Sequence, residues 1–132
     1  MADRYSYSSH VVHNLKYHII WCTKYRRKVL IPDIEVRLKE LIMEKAFAMG
    51  LTVHEMEVMP DHVHLFVEAR PIDSVHNIAG QIKGYTSRIL RQEYISLRTR
   101  LPTLWTRSYY AESVGHISEE TIKRYIQDQK NN

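Results

Sequence analysis

The chain has 132 residues, of which 44% are hydrophobic and 26% are charged, with a formal net charge of +4 and a single cysteine. This length and composition predict one globular domain, residues 1–132, and exclude a membrane-spanning protein or one stabilised by intrachain disulfides. The mild positive charge suits a polyanionic partner. Residues 1–9 lack the apolar core of a secretion signal, so we expect a cytoplasmic protein.

The first third of the chain predicts an arm, a strand and a helix. Residues 1–12 are rich in Tyr and Ser and predict a loosely held N-terminal arm. The segment from His13 to Thr23 alternates in polarity and predicts a first strand. Pro32 and Asp33 are typical of a helix start, and Gly50 is typical of a helix stop. Apolar residues at helical spacing form the predicted core-facing stripe of this helix: Ile34, Leu38, Leu41, Ile42 and Met49.

The stretch around two histidines predicts a hairpin. Leu51 to Met59 predicts a second strand, Pro60-Asp61 a turn, and Asp61 to Ala69 a third strand. Alternation places His62 and His64 on one face of this strand, about 6.6 Å apart at roughly 3.3 Å per residue, where both imidazoles can converge on one metal ion. Histidines on a half-exposed strand are also common as plain surface. Asp61 is expected to shape the turn rather than to orient a histidine.

The rest of the chain completes a known pattern of elements. Ser74 is a typical N-cap for a second helix, in which Gly84 predicts a close packing contact. Leu104 to Ser113 predicts a fourth strand, and Ser118 is expected to cap a last helix over residues 118–130. The order strand–helix–strand–strand–helix–strand predicts an α+β, ferredoxin-like, antiparallel four-stranded sheet with two helices on one face. The last helix is additional to this fold and can cover the open sheet face.

A basic segment and the last helix carry the remaining candidate residues. Four cations surround one tyrosine at Lys24, Tyr25, Arg26, Arg27 and Lys28, which is typical either of a solvated loop or of a phosphate-binding patch with a stacking aromatic. In the last helix Tyr125 and Gln129 lie one turn apart on the same side. Tyr125 is either a packing residue or a nucleophile that the helix delivers to the histidines. Of the nine tyrosines, it alone precedes a possible ligand by one turn.

Two imidazoles, one amide oxygen and a tyrosine suggest phosphodiester chemistry. A metal held by these ligands can polarise a phosphodiester and favour the phenolate, and attack on phosphorus would then leave a phosphotyrosine. The covalent phosphotyrosine link conserves the energy of the broken phosphodiester bond, so the strand can be resealed, which favours strand transfer over hydrolysis. A hydrolase acting on small molecules is the least expected alternative, because no carboxylate base stands beside the histidines.

The chain resembles the single-tyrosine transposases of the insertion sequence 200/605 family, the TnpA-type members of the histidine-hydrophobic-histidine (HUH) superfamily. The resemblance extends from about residue 13 to residue 130, and the following segments carry it: Met59 to Leu65, Lys24 to Lys28, Gly84 to Ser87, Leu104 to Tyr109, Ser113 to Ile117, and Tyr125 with Gln129.

The resemblance implies more than the residues do. It implies that His62, His64 and Gln129 bind Mg²⁺ or Mn²⁺ and that Tyr125 is the nucleophile. It also implies a single-stranded DNA substrate with subterminal hairpins, and a homodimer whose active sites are shared between subunits. Two alternatives stay open: a non-catalytic single-stranded nucleic-acid-binding domain on the same fold, and a domesticated relative that cuts genomic hairpin repeats.

Overall fold

The computed structural model describes residues 6–8, 11–13 and 15–131. The elements in chain order are β1 (Ser6–Ser8), β2 (Val11–His13), β3 (Leu15–Cys22), α1 (Pro32–Ala48), β4 (Thr52–Met59), β5 (His62–Ala69), α2 (Val75–Glu93), α3 (Ile95–Thr99), β6 (Tyr110–Ser113) and α4 (Glu119–Gln127). Short 3₁₀ turns occupy Lys24–Arg26, His116–Ser118 and Asp128–Asn131. In the described part of the chain every helix is too short or too polar to span a bilayer.

The main sheet has four strands in the order β4–β5–β3–β6. Each neighbouring pair is antiparallel, and the β4–β5 hairpin turns directly after the pairing of Met59 with His62. This order and the helices between the strands confirm the predicted ferredoxin-like α+β fold. Strands β1 and β2 form a separate antiparallel pair, and the remainder of the predicted arm, residues 1–5, 9 and 10, lies outside the described residues.

One face of the sheet carries the main core. Val63, Leu65 and Val67 of β5 point into it, as the alternation predicts, and all three are fully buried. Helix α1 begins with Pro32 in its first turn, and Gly50 follows its end with a positive φ of 73°, as the helix-stop signal predicts. Helices α1 and α2 contribute further large buried side chains: Ile34, Leu38, Leu41, Ile42, Ile78, Ile82 and Leu90.

Helix α4 covers part of the opposite face of the sheet. Its residue Ile126 is fully buried against Phe66 and Val114, and Ile122 packs at the edge of this second cluster. An ion pair of 2.9 Å joins Glu119 at the start of α4 to Lys16 of β3. The predicted placement of the last helix on the open face is therefore confirmed, and it brings that helix to the histidine side of the sheet.

The predicted fourth strand is too long at its start. Only Tyr110–Ser113 forms a ladder, and Trp105 before it makes a single bridge to Thr23. The physical reason is the half-buried amine of Lys83. Its Nζ donates hydrogen bonds to the carbonyl oxygens of residues 106, 107 and 108, so this backbone curls around a side chain instead of pairing with a strand.

Two local expectations about polar and small residues are wrong. Ser118 makes no side-chain cap for α4, because a 3₁₀ turn precedes the helix and the Ser118 hydroxyl donates to the carbonyl of Gly115. A Cβ at Gly84 would meet nothing within 4 Å, so no close packing explains that glycine. Ser74 does cap α2, since its hydroxyl oxygen accepts a hydrogen bond from the Asn77 amide.

Candidate active site

The two histidines of β5 lie side by side on the open face of the sheet. Their ring centroids are 5.0 Å apart and the rings are inclined at 71°. His62 Nδ1 lies 2.7 Å from Asp61 Oδ1, and Arg26 holds the other oxygen of that carboxylate at 3.2 Å. Asp61 therefore orients His62, and the expectation that it only shapes the turn is wrong. With Nδ1 donating to Asp61, the lone pair of His62 Nε2 is left available as a ligand.

His64 is buried more deeply than its partner, with 2% of its surface exposed. Burial, followed by the neighbouring imidazoles of His62 and His18, lowers the pKa of His64 to about 4. Its ring is therefore neutral near pH 7, which is the form that can coordinate a metal. Among the described residues, no group of good geometry hydrogen-bonds His64 Nε2. A buried polar nitrogen without a partner costs free energy, so the binding of a metal ion or a hydrogen-bond donor at His64 Nε2 would be favourable.

Tyr125 lies over the histidines from the side of α4. Its ring centroid is 5.6 Å from that of His64 and 6.0 Å from that of His18, in edge-on geometry. Half of its surface, 51%, remains exposed. A packing residue would be buried, whereas this phenol combines contact with the imidazoles and access from solvent. Docking of α4 on the open face of the sheet brings these residues together although they are far apart in sequence.

Gln129 follows Tyr125 by one turn, and its Nε2 donates to the backbone oxygen of Tyr125 at 3.1 Å. Its side chain also lies close enough to His64 to raise the pKa of that histidine, against the larger lowering that burial causes. Because the amide nitrogen of Gln129 donates to the backbone, the amide oxygen is the atom of this side chain that can serve as a ligand. The structure thus brings together the four residues that sequence reasoning selected: His62, His64, Tyr125 and Gln129.

These side chains fit a divalent metal ion. In the described part of the chain no three His, Cys, Asp or Glu residues form a cluster that could hold a metal. A metal here would therefore have two imidazole nitrogens, an amide oxygen and further oxygens from water or a phosphate. The unpartnered Nε2 of His64 and the tethered Nδ1 of His62 are the observations that fit this donor set. The donor types by themselves suit zinc as well as magnesium or manganese.

A third histidine belongs to this cluster and was not predicted from the sequence. His18 of β3 is 2% exposed, and its ring stacks on that of His64 with centroids 5.3 Å apart. Alternation of the first strand already placed His18 on one face with Lys16 and Ile20, but the pairing of β3 with β5 is needed to show which face this is. His18, Glu112 and Tyr125 also line a largely apolar cavity of about 500 Å³ beside the phenol.

The basic segment begins next to the histidine pair. Residues 25–28 are exposed, and Lys24 Nζ lies 5.3 Å from the centroid of the Tyr25 ring. Tyr25 and Arg26 both have positive φ, 59° and 53°, which is unfavourable for residues with side chains. This strained turn displays the Tyr25 ring to solvent at 63% exposure while Arg26 contacts Asp61 behind His62. Arg26 thus connects the basic segment to the candidate site.

Comparison with known proteins agrees with this arrangement. Residues 11–129 match the family described as "Transposase IS200 like". The chain is 38% identical over 120 residues to the ISDra2 transposase TnpA of Deinococcus radiodurans, which covers 89% of this chain and 86% of that protein. It is 29% identical over 131 residues to the transposase for insertion sequence element IS200 of Salmonella typhimurium, covering 98% of this chain and 85% of that protein.

Two solved structures have the same fold. A crystal structure of a protein assigned as a transposase from Deinococcus radiodurans R1 superposes with a TM-score of 0.77 at 32% identity, covering 94% of this chain and 97% of that chain. A REP-associated tyrosine transposase bound to a REP hairpin superposes with a TM-score of 0.68 at 14% identity, covering 96% of this chain and 74% of that chain. The match over nearly the whole domain confirms the resemblance found from the sequence, and the chain belongs to the IS200-like family of insertion-sequence transposases.

Proposed function

We propose that this transposase cleaves and rejoins single-stranded DNA through a covalent 5′-phosphotyrosine at Tyr125, with a divalent metal ion held by His62, His64 and Gln129. The observation that carries the proposal is the position of Tyr125: a half-exposed phenol whose ring centroid lies 5.6 Å from that of His64. Membership of a transposase family supplies the reaction class, since transposition requires a strand to be cut and resealed.

The proposed chemistry balances without a further reactant. The Tyr125 oxygen attacks the scissile phosphorus, the bond from phosphorus to the 3′ oxygen breaks, and the phenolic proton is transferred to that oxygen by way of solvent. The products are a tyrosine-linked 5′ phosphate and a free 3′ hydroxyl. Attack of another 3′ hydroxyl on the same phosphorus reverses the step and reseals the strand, so no external energy source is needed.

The chain's own residues prepare this step. Asp61 fixes the orientation of His62 and leaves its Nε2 lone pair available, and burial keeps His64 in the neutral form that can bind a metal. When bound there, Mg²⁺ or Mn²⁺ would polarise the phosphodiester and stabilise the phenolate. The amide oxygen of Gln129, held by the bond from its nitrogen to the Tyr125 backbone, is the proposed third protein ligand.

The proposed substrate is single-stranded DNA carrying hairpins near the element ends. A relative with the same fold is known as a tyrosine transposase bound to a hairpin. In this chain the segment of Lys24, Tyr25, Arg26, Arg27 and Lys28 supports DNA binding, because its side chains are largely exposed and Arg26 contacts Asp61 behind His62. We propose that its cations contact backbone phosphates and that Tyr25 stacks on an unpaired base.

We further propose that the protein acts as a homodimer in which α4 can serve either chain. Within one chain Tyr125 already lies beside its own histidines. Sharing the sites between subunits would require α4 to leave its cluster around Ile126 and to swing about the connection between β6 and α4. In the dimer α4 would leave one docking surface for an identical one on the partner subunit. The free-energy difference between the two arrangements therefore depends only on the geometry of the segment that connects β6 to α4.

A denaturing adduct assay tests the nucleophile. A hairpin-bearing single strand is incubated with the protein and Mn²⁺, and covalent protein–DNA species are separated under denaturing conditions. We expect an adduct with the wild type, none with Tyr125→Phe, and a normal yield with Tyr109→Phe, which removes a hydroxyl that hydrogen-bonds His76. Strong DNA binding without any wild-type adduct would instead favour the non-catalytic binder, and cleavage by Tyr125→Phe would require another nucleophile.

Mixing two inactive variants tests the shared site. Neither Tyr125→Phe nor the double variant His62→Ala, His64→Ala can complete a site alone. If α4 exchanges between subunits, heterodimers of the two contain one complete site and recover part of the activity. A mixture that stays inactive although heterodimers form would show that each site is built within a single chain.

A further inference from the structure

A row of three side chains leads from the edge of the sheet to the candidate metal site. Glu112 of β6 lies with Oε1 3.0 Å from His18 Nδ1, and His18 Nε2 lies 3.1 Å from His64 Nδ1. Both imidazoles are 2% exposed, whereas Glu112 is partly exposed. Glu112 is itself anchored, because Tyr110 donates its hydroxyl proton to Oε2 at 3.1 Å.

When both imidazoles are neutral, the direction of these hydrogen bonds determines which nitrogen of His64 carries the proton. A carboxylate accepts but cannot donate, so His18 must donate from Nδ1 to Glu112. A neutral His18 then has a lone pair on Nε2 and can only accept, which requires His64 to donate from Nδ1. The proton of a neutral His64 is thereby placed on Nδ1, and the lone pair is left on Nε2, the nitrogen without a partner.

We propose that Glu112 and His18 are positioning residues that lock His64 in the tautomer whose Nε2 can bind the metal. The use of that lone pair by a metal rests on the proposed function, but the tautomer itself does not. The opposite direction would set the bare Nδ1 lone pair of His18 against the carboxylate of Glu112 at 3.0 Å, which is repulsive.

The arrangement parallels the one at the neighbouring ligand. His62 is held at Nδ1 directly by Asp61, while His64 is held at Nδ1 through His18 by Glu112. Each imidazole of the pair is therefore linked at Nδ1 to a carboxylate, directly in the case of His62 and through His18 in the case of His64. Partners of this kind orient metal-binding histidines and raise their basicity, and losing one typically weakens metal binding by about 10–100-fold.

The tautomer is measured without metal. In protein labelled with ¹⁵N at histidine, long-range proton–nitrogen spectra near pH 7.5 distinguish Nδ1–H from Nε2–H rings. We expect His64 to be almost entirely the Nδ1–H form in the wild type. Glu112→Gln should give a mixture, because an amide can either donate to or accept from His18. Since Glu112 is partly exposed, this substitution keeps the fold even if a replacement of the buried His18 does not.

Metal affinity gives the second measurement. Mn²⁺ binding, followed by the loss of the free-ion electron paramagnetic resonance signal, should weaken about 10–100-fold in Glu112→Gln and in His18→Phe. His18→Gln should recover most of the affinity, because its amide oxygen can accept from His64 Nδ1. The matched control is His54→Phe, which removes an imidazole paired with Glu68 on the same sheet and should leave the affinity unchanged.

The outcomes separate this proposal from the function on which it rests. A wild-type His64 found mainly as the Nε2–H tautomer would overturn the positioning role, whatever the protein does with metal. So would unchanged tautomer and Mn²⁺ affinity in Glu112→Gln. If instead the wild type shows the expected tautomer but neither binds Mn²⁺ nor forms an adduct, the hydrogen-bonded row stands and the proposed metal-dependent function fails.

Discussion

Helix α4 carries Tyr125, and its attachment to the sheet depends on one isoleucine. Ile126 is fully buried in the small cluster with Phe66 and Val114, which is separate from the main core on the other face of the sheet. We predict that Ile126→Ala releases α4 locally and leaves the main core folded. The helix would then open as a separate unit whose stability is lower than that of the sheet.

The size of the effect follows from the atoms removed. Alanine lacks three carbons of isoleucine, and at roughly 0.8 kcal/mol per buried methylene their transfer alone contributes about 2.4 kcal/mol. The cavity left behind increases the total, and buried Ile→Ala substitutions cost about 2–5 kcal/mol. A loss of about 2.4 kcal/mol reduces the ratio of docked to released helix by roughly 50-fold, at about 1.4 kcal/mol per factor of ten.

Native-state hydrogen exchange measures this ratio directly. Amides of α4 should exchange roughly 50-fold faster in Ile126→Ala, while amides of α1 and of the central strand β3 keep their wild-type rates. The matched control is Ile72→Ala, the same substitution at a side chain that is 81% exposed, which should change neither set. Equal acceleration of α4 and α1 would refute the reasoning, because it would show that both sheet faces unfold as one unit. Unchanged exchange in α4 would also refute it, since polar contacts would then hold the helix without Ile126.

Three further perturbations test other contacts. Glu119→Gln should lower the unfolding free energy by about 3 kcal/mol in urea titrations, because it leaves the buried Lys16 ammonium without its carboxylate. The hydrogen bonds from Arg70 lower the pKa of Asp73 below its ordinary 3.8. The stability that Asp73 contributes is therefore complete above pH 3.8 and is lost as the pH falls through its folded-state pKa. In urea titrations between pH 7 and pH 2, Asp73→Asn should be less stable than the wild type at pH 7 and should lose less stability on acidification. Tyr25→Gly should relieve a positive φ and raise the unfolding free energy by about 1 kcal/mol, while fluorescence anisotropy should show single-stranded DNA binding weakened by about 1–3 kcal/mol.

Each of these three has a control within the chain. Glu120→Gln removes an 82% exposed carboxylate from the same helix and should change stability little. Asp128→Asn changes an exposed aspartate and should leave the acid limb of the stability curve as in the wild type. Tyr25→Phe keeps the ring and the strained backbone, so it should match the wild type in both stability and DNA affinity. Equal behaviour of any variant and its control would contradict the contact assigned to it.

Local patterns in the sequence were sufficient for much of the fold and for four residues of the candidate site. Strand alternation has a period of two, so it placed Val63 and Leu65 in the core and His62 and His64 on the opposite face without any knowledge of neighbours. Proline and glycine set the ends of α1 because they restrict or permit particular backbone angles. Helical spacing also predicted Tyr125 and Gln129 one turn apart, although α4 ends at Gln127 and Gln129 lies in the 3₁₀ turn that continues it.

Contacts between distant segments required the tertiary structure. The length of β6 depended on the amine of Lys83, which takes the carbonyl oxygens that a longer strand would have used. Asp61 can shape a turn or orient a ring, and Arg26 from a distant segment holds the Asp61 carboxylate while its other oxygen contacts His62. Neither outcome is encoded in a short window of sequence, because each depends on a partner supplied by folding.

The sequence by itself determined the faces, the element order and the family, since these depend on periodicity and on motifs that are contiguous in the chain. Only the tertiary structure decided that His18 and Glu112 stand behind His64 and that Tyr125 lies over it. The physical reason is strand register: pairing of β3 with both β5 and β6 aligns residues 46 and 94 positions apart, and no local propensity specifies such an alignment.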